Sequence, residues 1–539
     1  MKSWDAIVIG GGHNGLVNAC YLQRAGLDVL VVEKNDWVGG AATSRELTPG
    51  FLYSNCSYVC SLFRPEIMRD LELPRFGLQV ISYEGGAVFT RDGDYLANYR
   101  DHDAHRREFA RFPKRDAEAY DRYARDVTRQ CRFIQPLLMR TAPDPTSLRP
   151  RDLGELLYLG KKFTGLTAEE MALTLRFWTM SISDFLDEYF ETDVIRRISL
   201  CPASSAPRSG RCRPAPPMSC CIIIWARSTA RSAPGAMRAG GMGAVTEALA
   251  ASFQASGGTI RTGAEADHVL IRRGKANGVV LAGGEEIYGK LVVSNADVKR
   301  TFLKLVEEKE LPEIFLRRVR NFKIRGSSGK VNIALDSLPE FPALPKDSPV
   351  YCGDMHFTDS IERMERAYDD WKAGRWSADP FLDMVIPTTL DPTMAPPGKH
   401  FMSCFVQYAP PKVDGRGWTD ADRDGFAESV IAQISDYSPG FRDRIVHMEV
   451  RTPREIEAEV GLTEGNIFQG ELTFDQLLFN RPVPGYAQYR SPVDGLYICG
   501  SSTHPGGGVM GAPGRNAAAE ILRDLAKPNQ HMSPAHDVI

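Results

Sequence analysis

The chain has 539 residues, of which 43% are hydrophobic and 25% charged, and its formal net charge is −3. This is the composition of a globular protein with a large core, without the basic surplus of a nucleic-acid-binding protein. No run approaches the roughly 18 apolar residues of a membrane span, and the eleven scattered cysteines indicate neither a disulfide framework nor a metal site. The first strand starts without a signal-peptide pattern, so we expect a cytoplasmic protein.

The first forty residues predict a dinucleotide-binding unit. An apolar strand at residues 6–9 leads into the loop Gly10-Gly11-Gly12-His13-Asn14-Gly15, and helix-like sequence follows to Ala25. A second apolar strand at residues 29–32 ends at Glu33, which stands 18 residues beyond the last glycine of the loop. The order strand, G-x-G-x-x-G loop, helix, strand and acid is the context that the dinucleotide fingerprint requires.

Each residue type of this fingerprint has a physical role. Gly10 permits a tight turn, Gly12 lets the backbone approach a pyrophosphate, and Gly15 lets the helix pack closely on the strand. The unpaired N–H groups and the dipole at the N-terminus of the helix favour phosphate. Glu33 can accept hydrogen bonds from ribose hydroxyls and disfavours a 2′-phosphate, so NADP is disfavoured while FAD and NAD stay open.

A glycine pair after the acid favours FAD over NAD. Gly39 and Gly40 are followed by two alanines and, shortly afterwards, by Arg45. This continuation resembles the FAD proteins of the glutathione-reductase type, in which such a pair lines the channel for the flavin's phosphates. We therefore expect Gly39, Gly40 and Arg45 at the cofactor.

A second glycine-rich loop lies near the C-terminus, between a strand at residues 496–499 and a helix at about residues 512–525. It also matches G-x-G-x-x-G, but only 28 residues follow Gly511, too few for another βαβ unit. We predict that the strand rejoins the N-terminal sheet, that the loop wraps the flavin and that the positive helix end points at the electron-accepting ring. The residues of this loop expected at the cofactor are Gly500, Gly508, Val509 and Gly511.

Residues 1–45 together with Gly500–Val509 resemble the phytoene desaturase (carotenoid desaturase) family of FAD oxidoreductases. The resemblance is strongest to its branch of pyridine nucleotide-disulfide oxidoreductase domain-containing protein 2. Further matching pieces are Gly240–Gly243, Val293–Asp297 and Lys330–Leu335. The resemblance implies an α/β fold, in which a Rossmann-like FAD-binding domain of the glutathione-reductase type is interleaved with an α+β substrate domain.

The resemblance further implies that the FAD-binding domain is discontinuous. Its expected segments are residues 1–95, 236–310 and 486–526; the substrate or cap domain takes residues 96–235 and 311–485, and residues 527–539 form a disordered tail.

Local patterns fill in this outline. Helical periodicity covers residues 101–140, 167–200 and 244–256, and short strands cover residues 259–293, with turns at Gly274, Gly278 and Gly283-Gly284. In the family, a strand of this last segment contacts the adenine through main-chain atoms. Ala266 is the best match to that position.

Two residues are candidates for proton transfer. Lys330 shares one strand face with Asn332 and Ala334. It is either a solvent-facing lysine or, as in the related amine oxidases, the group that holds a water beside flavin N5. His504 lies in the loop over the flavin and either transfers a proton or braces the loop. His13 is expected to be solvated or to act indirectly.

Residues 203–238 break the pattern, since they are rich in Arg, Ser, Pro, Ala and Cys and follow neither a helical nor a strand period. They form either a disordered insert or, as we prefer, a stretch that is translated out of frame. Codons can be chosen for Pro216 to Met237 so that the frame offset by one base spells the family's segment before Gly240, with its two adjacent histidines. FAD binding could survive the loss of these side chains, whereas turnover could be lost.

The chain is thus expected to be a FAD-dependent oxidoreductase of the dehydrogenase or desaturase type. It would move a hydride to flavin N5 from an apolar, polyene- or terpenoid-like substrate, with oxygen or quinone as electron acceptor. A flavin amine oxidase and a non-catalytic FAD-binding regulatory protein are the alternatives. We expect no nucleic-acid partner and no metal, and we allow a peripheral membrane contact without a transmembrane segment.

Overall fold

The computed structural model describes residues 2–82, 85–99, 101–200, 236–237 and 240–526. The segment at 203–238, with its out-of-frame interpretation, lies outside these residues except for 236–237, and the expected tail at 527–539 lies wholly outside them. The α-helices of the described part are α1 (His13–Arg24), α2 (Pro65–Asp70), α3 (His102–Phe109), α4 (Lys114–Leu138), α5 (Pro150–Thr164), α6 (Ala168–Thr179), α7 (Ile182–Asp187), α8 (Asp193–Leu200), α9 (Gly243–Ala255), α10 (Val298–Arg300), α11 (Glu313–Asn321), α12 (Ile361–Lys372), α13 (Asp420–Tyr437), α14 (Pro453–Val460) and α15 (Ala512–Leu525).

The strands of the described part are β1 (Ser3–Ile9), β2 (Val29–Val32), β3 (Ser44–Thr48), β4 (Phe51–Ser54), β5 (Ile81–Ser82), β6 (Gly86–Phe89), β7 (Tyr95–Asn98), β8 (Ala236–Met237), β9 (Thr259–Arg261), β10 (Ala266–Arg272), β11 (Lys275–Leu281), β12 (Glu286–Ser294), β13 (Ser328–Leu335), β14 (Asp354–His356), β15 (Phe381–Val385), β16 (His400–Gln407), β17 (Ile445–Arg451) and β18 (Leu496–Ile498). They form two large sheets and two short pairs, β3 with β4 and β5 with β8.

The first sheet has seven strands in the order β10-β11-β12-β1-β2-β9, with β18 beside β12. β1 pairs in parallel with β2 and β12, while β9 and β18 continue the parallel pairing and β10 and β11 are antiparallel. Strands buried on both faces are apolar throughout. Accordingly, Ala6 and Val8 pack with α1, α9 and α15 on one face, and Ile7 and Ile9 pack into a separate core on the other.

The two ends of the chain meet on this sheet, as the sequence predicts. β18 pairs in parallel with the end of β12, and α15 packs on α1. Asn18 Nδ2 donates to the carbonyl of Gly514 at 3.0 Å, and a Cβ at Gly514 would stand 2.1 Å from the backbone oxygen of Asn14. Glycine at position 514 therefore lets the C-terminal helix seat directly against the first helix.

The second sheet is built mostly from the middle of the chain. Its seven strands run in the order β17-β13-β16-β15-β14-β6-β7, antiparallel except for β14 and β6. Residues 86–98, which include the end of the first expected domain segment, form β6 and the edge strand β7. A four-residue strand carries no local signal for a partner more than 250 positions away, so the boundary expected at residue 95 falls inside β7.

A helical layer, α3 to α8, covers one face of the second sheet. Its aromatic core includes Phe109, Phe177 and Phe185, and this core reaches the sheet through Val88 and Phe381. The helical patterns predicted for residues 101–140 and 167–200 are confirmed as helical, but they divide into two and three helices respectively.

One predicted turn is wrong. Gly278 lies within β11, with φ of +147°, and a Cβ there would stand 2.1 Å from the carbonyl oxygen of Ile287 on β12. This glycine permits close approach of two strands, whereas Gly274 and the pair Gly283-Gly284 do lie between strands as predicted.

Candidate functional site

A cleft among the described residues lies where the parallel strands of the first sheet end. Its walls come from the residues after β1, β2 and β12, from the segment after α14 and from Ser501 of the C-terminal loop. The carboxyl edge of such a sheet is where dinucleotides bind in open α/β folds.

The first glycine loop opens toward this cleft. Gly12 precedes α1 with no side-chain cap, and no acidic residue lies in the first turn of the helix. The first N–H groups of a helix have no acceptor within the helix itself, so these donors are available to an anion. A Cβ at Gly15 would stand 2.2 Å from the carbonyl of Gly10. The close packing predicted for Gly15 is therefore confirmed.

Glu33 lies in the cleft at the end of β2. Its carboxylate accepts the N–H groups of Gly11 at 2.7 Å and of Asn35 at 3.0 Å. Burial raises the pKa of Glu33, and these backbone donors oppose that shift. A carboxylate offers about four acceptor positions, so these two bonds leave capacity for ribose hydroxyls.

The glycine pair contacts the first loop directly. Gly39 donates to the carbonyl of Gly11 at 2.9 Å, and both Gly39 and Gly40 adopt positive φ angles. A Cβ at Gly39 would stand 2.5 Å from Thr246 Oγ1. Gly39, Gly40 and Ala266 line the cleft, and the main-chain contact of Ala266 with the adenine stays a prediction.

The C-terminal loop joins the cleft through two contacts with the first loop. Asn14 Nδ2 donates to Ser501 Oγ at 3.1 Å, and His13 Nε2 lies 3.2 Å from the carbonyl of Gly508. Burial lowers the pKa of His13 to about 4, so this ring is neutral at pH 7 and its Nε2–H is the donor. Of the two alternatives expected for His13, solvated or acting indirectly, this contact favours the indirect role, because the ring bridges the two glycine loops.

The remaining expected residues of that loop are not among the residues that line the cleft. Gly500 follows β18, and a Cβ there would stand 2.7 Å from the carbonyl of Asn295. Gly508 packs on Leu62, Val509 packs into the core around α1, and Gly511 precedes α15 against Phe63 and Ile67. The N-terminus of α15 thus faces this apolar cluster.

Arg45 stands apart from the cleft lining. Its guanidinium forms an ion pair with Glu459 and lies 5.2 Å from the centre of the Trp37 ring. Glu459 directly precedes the cleft residues Val460 and Gly461. Arg45 therefore holds one wall of the cleft in place.

His504 braces the loop against the helical layer. Its Nε2 lies 3.0 Å from the carbonyl of Leu137 in α4, and its own carbonyl accepts the Tyr489 hydroxyl at 2.8 Å. Burial lowers the pKa of His504 to about 4, so the neutral ring donates through Nε2. These contacts favour the bracing role over proton transfer.

Lys330 is buried, and the solvent-facing interpretation is wrong. Its side chain is 1% exposed, its amine donates to the carbonyl of Cys56 at 3.2 Å, and burial lowers its pKa to about 7. The N–H of Cys56 in turn donates to the carbonyl of Ala41, a cleft residue, at 3.1 Å. Lys330 is thus one backbone segment away from the cleft.

Lys330 also begins a row of side chains on one face of the second sheet. Lys330 stands opposite Phe405, Phe405 opposite Asp383, and Asp383 opposite His356. Cross-strand partners share a face, and the carboxylate of Asp383 contacts His356 Nδ1.

Tyr58 lies over this row. Its ring stacks on Phe405 at 5.6 Å between centres, its centre is 5.0 Å from the Lys330 amine, and its hydroxyl donates to Asp383 at 3.1 Å. Tyr58, Asp383 and His356 were not predicted from the sequence. Asp383 and His356 meet through the register of two paired strands, and Tyr58 comes from a segment 325 residues from Asp383; the chain carries no local signal for either contact.

Asn295 is a further residue that the sequence analysis did not single out as a site residue. It follows β12, its Nδ2 lies 3.3 Å from the carbonyl of Gly10, and its side chain lies beside Gly12 and Gly15. A signal was present, since residues that directly follow a parallel strand meet at the ligand edge of the sheet.

Comparison with known proteins identifies the family of this chain. The family described as "Flavin containing amine oxidoreductase" matches residues 15–522, and the chain belongs to it. Pyridine nucleotide-disulfide oxidoreductase domain-containing protein 2 of Rattus norvegicus is 37% identical over 550 residues, which cover 97% of this chain and 94% of that protein. Carotenoid 3,4-desaturase of Haloarcula japonica is 26% identical and covers 97% of this chain and 99% of its own length.

Among solved structures, a cofactor-site mutant of putrescine oxidase superposes with a TM-score of 0.61 at 14% identity, covering 98% of this chain and 99% of that one. This similarity confirms the fold. The resemblance to the desaturase-like FAD oxidoreductases is confirmed as well.

The chain is therefore a FAD-dependent oxidoreductase, and its substrate and electron acceptor exchange electrons through FAD. This finding favours an enzyme over the non-catalytic alternative. None of the helices in the described part of the chain has the length and apolar character needed to cross a membrane. In the same part, no group of three or more His, Cys, Asp or Glu side chains is placed to hold a metal ion. The cytoplasmic location stays a prediction.

Proposed function

We propose that the chain is a dehydrogenase of the desaturase type, which converts a C–C single bond of an apolar, polyene- or terpenoid-like substrate into a double bond. The observation that carries this proposal is the junction of the two terminal glycine loops at a cleft next to the buried face of Lys330. The 26% identity to a carotenoid 3,4-desaturase, over nearly its whole length, supports the substrate class.

The cleft fits FAD in its chemistry. Gly10, Gly12 and Gly15 expose the N–H groups of α1 for the pyrophosphate, and Glu33 accepts ribose hydroxyls. Gly39 and Gly40 keep the neighbouring backbone close, and Ala266 offers main-chain atoms to the adenine. Gly500, Gly508, Val509 and Gly511 shape the C-terminal loop around the same site, and Arg45 acts as a positioning residue.

When bound, FAD supplies a hydride acceptor, so the substrate loses a hydride from one carbon and a proton from the next. Oxygen or a quinone would be the final electron acceptor. We assign the proton to Lys330, because an amine with a pKa of about 7 can take up and release protons near neutral pH. The helical layer excludes water from this face, and His504 holds the C-terminal loop against it.

Amine oxidation is a second candidate. The description of the family and the stacked rings of Tyr58 and Phe405 beside Lys330 favour it, since aromatic faces attract amines.

Anaerobic flavin bleaching distinguishes the two functions. The desaturase proposal expects bleaching by carotenoids or terpenoids and none by aliphatic amines, and the reverse pattern would establish the second candidate.

A matched pair of variants tests the cofactor site. Gly12→Ala adds a Cβ where the backbone must approach the pyrophosphate, whereas Gly160→Ala adds one in α5 with no atom within 4 Å. We expect Gly12→Ala to lower FAD affinity at least tenfold in a flavin fluorescence titration, and Gly160→Ala to leave it unchanged. Equal FAD affinities of the two variants would show that the first glycine loop does not bind the cofactor.

A further inference from the structure

Two polar side chains flank Phe381 on the face of the second sheet that carries Lys330. The guanidinium of Arg197, from α8, lies 4.6 Å from the centre of the Phe381 ring, and Gln407 stands directly opposite Phe381 on β16. Both side chains are 0% exposed. Residues two apart on a strand share a face, so Gln407 lies on the same face as Phe405, the cross-strand partner of Lys330.

Neither polar head has a hydrogen-bond partner among the described residues. All three nitrogens of Arg197 and both amide atoms of Gln407 are buried and unpaired in that part of the chain. Buried polar groups are normally satisfied, and a buried cation without a partner is strongly unfavourable.

Other buried arginines of this chain follow the rule. Arg481, also 0% exposed, donates to the carbonyls of Ser501, Glu471, Gln476 and Phe468. Arg363 pairs with Asp359 and Asp379. Arg197 and Gln407 lack the hydrogen-bond partners that these other buried arginines have among the described residues. This difference indicates a ligand.

The acidic residue of the same strand face is already engaged. Asp383, two residues from Phe381, contacts His356 and accepts the Tyr58 hydroxyl. Within the described ranges, the guanidinium of Arg197 thus presents an unbalanced positive charge and a planar fork of donors beside an aromatic ring.

We propose that Arg197 and Gln407 bind a carboxylate of the substrate, which is then an apolar chain with a single carboxylate at one end. This inference rests on the proposed function. A guanidinium matches a carboxylate with two parallel hydrogen bonds, and the amide of Gln407 adds a further donor. One arginine balances the single charge of a carboxylate, whereas a phosphate monoester carries more charge than one arginine can neutralise.

The geometry sets the carboxylate apart from the row that contains Lys330. Two strand residues span about 7 Å, so the anion-binding pair lies about one such step from the Lys330 row. The aromatic core of the helical layer, which includes Phe381, provides the apolar surroundings for the chain of the substrate.

The test uses the FAD-loaded full chain and two probes with the same apolar chain, farnesoic acid and farnesol. Binding is followed by the shift of the flavin absorbance spectrum. We expect wild type to bind the acid at least tenfold more tightly than the alcohol. Arg197→Met should abolish this preference while changing alcohol affinity less than threefold, and Arg197→Lys, which keeps the charge but not the fork, should retain part of it.

Two controls make the result decisive. Gln407→Leu should weaken acid binding alone, and Arg197→Met without ligand should keep or raise the melting temperature, because it removes an unpaired buried charge. An Arg197→Met chain that melts lower and keeps its preference for the acid would overturn the proposal and assign Arg197 an internal structural role. Equal binding of acid and alcohol by wild type would overturn it as well.

Failure of the carboxylate site can be distinguished from failure of the proposed function. A chain that is bleached by neutral terpenoids but does not prefer acids disproves only the carboxylate site. A chain that prefers acids but is never bleached supports the site and disproves the desaturase reaction.

Discussion

Lys330 shows how burial changes the chemistry of a side chain that the sequence alone leaves open. Alternation along β13 puts Lys330 and Asn332 on one face, but a strand pattern does not tell whether that face meets water or protein. In the structure both faces of β13 are buried. Desolvation therefore favours the neutral amine, and the pKa of Lys330 falls to about 7.

This shift predicts a pH-dependent stability. An unfolded lysine has a pKa of about 10.4, so between pH 7 and pH 10 the unfolded chain binds more protons than the folded chain at this position. Stability contributed by the site then rises with pH across that window. Relative to Lys330→Met, the free energy of unfolding of wild type should rise by about 1.4 kcal/mol per pH unit. The measurement compares the melting temperatures of the two chains at pH 7 and at pH 10.

The matched control is Lys346→Met, since the Lys346 side chain is 87% exposed. Its difference from wild type should stay constant across the same range. A constant offset between wild type and Lys330→Met would mean that the Lys330 amine is charged in the folded protein.

The elements around the two glycine loops were predictable because their signals are local. β2 ends just before Glu33 and α15 spans residues 512–525, both as predicted. Glycines, an acid after a strand and helical periodicity all act within a few residues. The row from Lys330 to His356 was not predictable, because it depends on the order and register in which β13 to β16 pair.

Among the contacts between helices and strands around the two glycine loops, the packing of α15 on α1 is critical. Gly514→Ala would place a Cβ 2.1 Å from the backbone oxygen of Asn14, which pushes α15 away and weakens the contacts of Asn14 and Asn18 with the C-terminal segment. Overpacking of this kind costs about 1–3 kcal/mol. We expect a melting temperature several degrees lower and weaker FAD binding.

Gly160→Ala is the control for this substitution. It also replaces glycine by alanine within a helix, at a position with no atom near the added Cβ, and should raise stability by about 0.5–1 kcal/mol. If both variants melt alike, the close seating of α15 on α1 does not contribute to the stability of the fold.

Across the whole molecule, one sheet gathers strands from the beginning, the middle and the end of the chain. The family resemblance predicted this interleaving, and the pairing of β18 with β12 confirms the return of the C-terminal strand. The place of β6 and β7 in the second sheet was missed, because short edge strands reveal their partners only in three dimensions. The division into two domains stays a prediction, although the two sheets follow its outline.

A cofactor that contacts segments so distant in sequence should stabilise the molecule as a unit. FAD at 100 times its dissociation constant adds about 2.7 kcal/mol to the folded state. In amide hydrogen exchange, we expect FAD to slow exchange in residues 9–15 and 500–511 together, since His13 and Asn14 join the two loops. At the same FAD concentration, Gly12→Ala should weaken both effects together. Protection limited to the N-terminal loop would show that the C-terminal loop does not take part in binding FAD, and the role proposed for Gly508 and Gly511 would then be wrong.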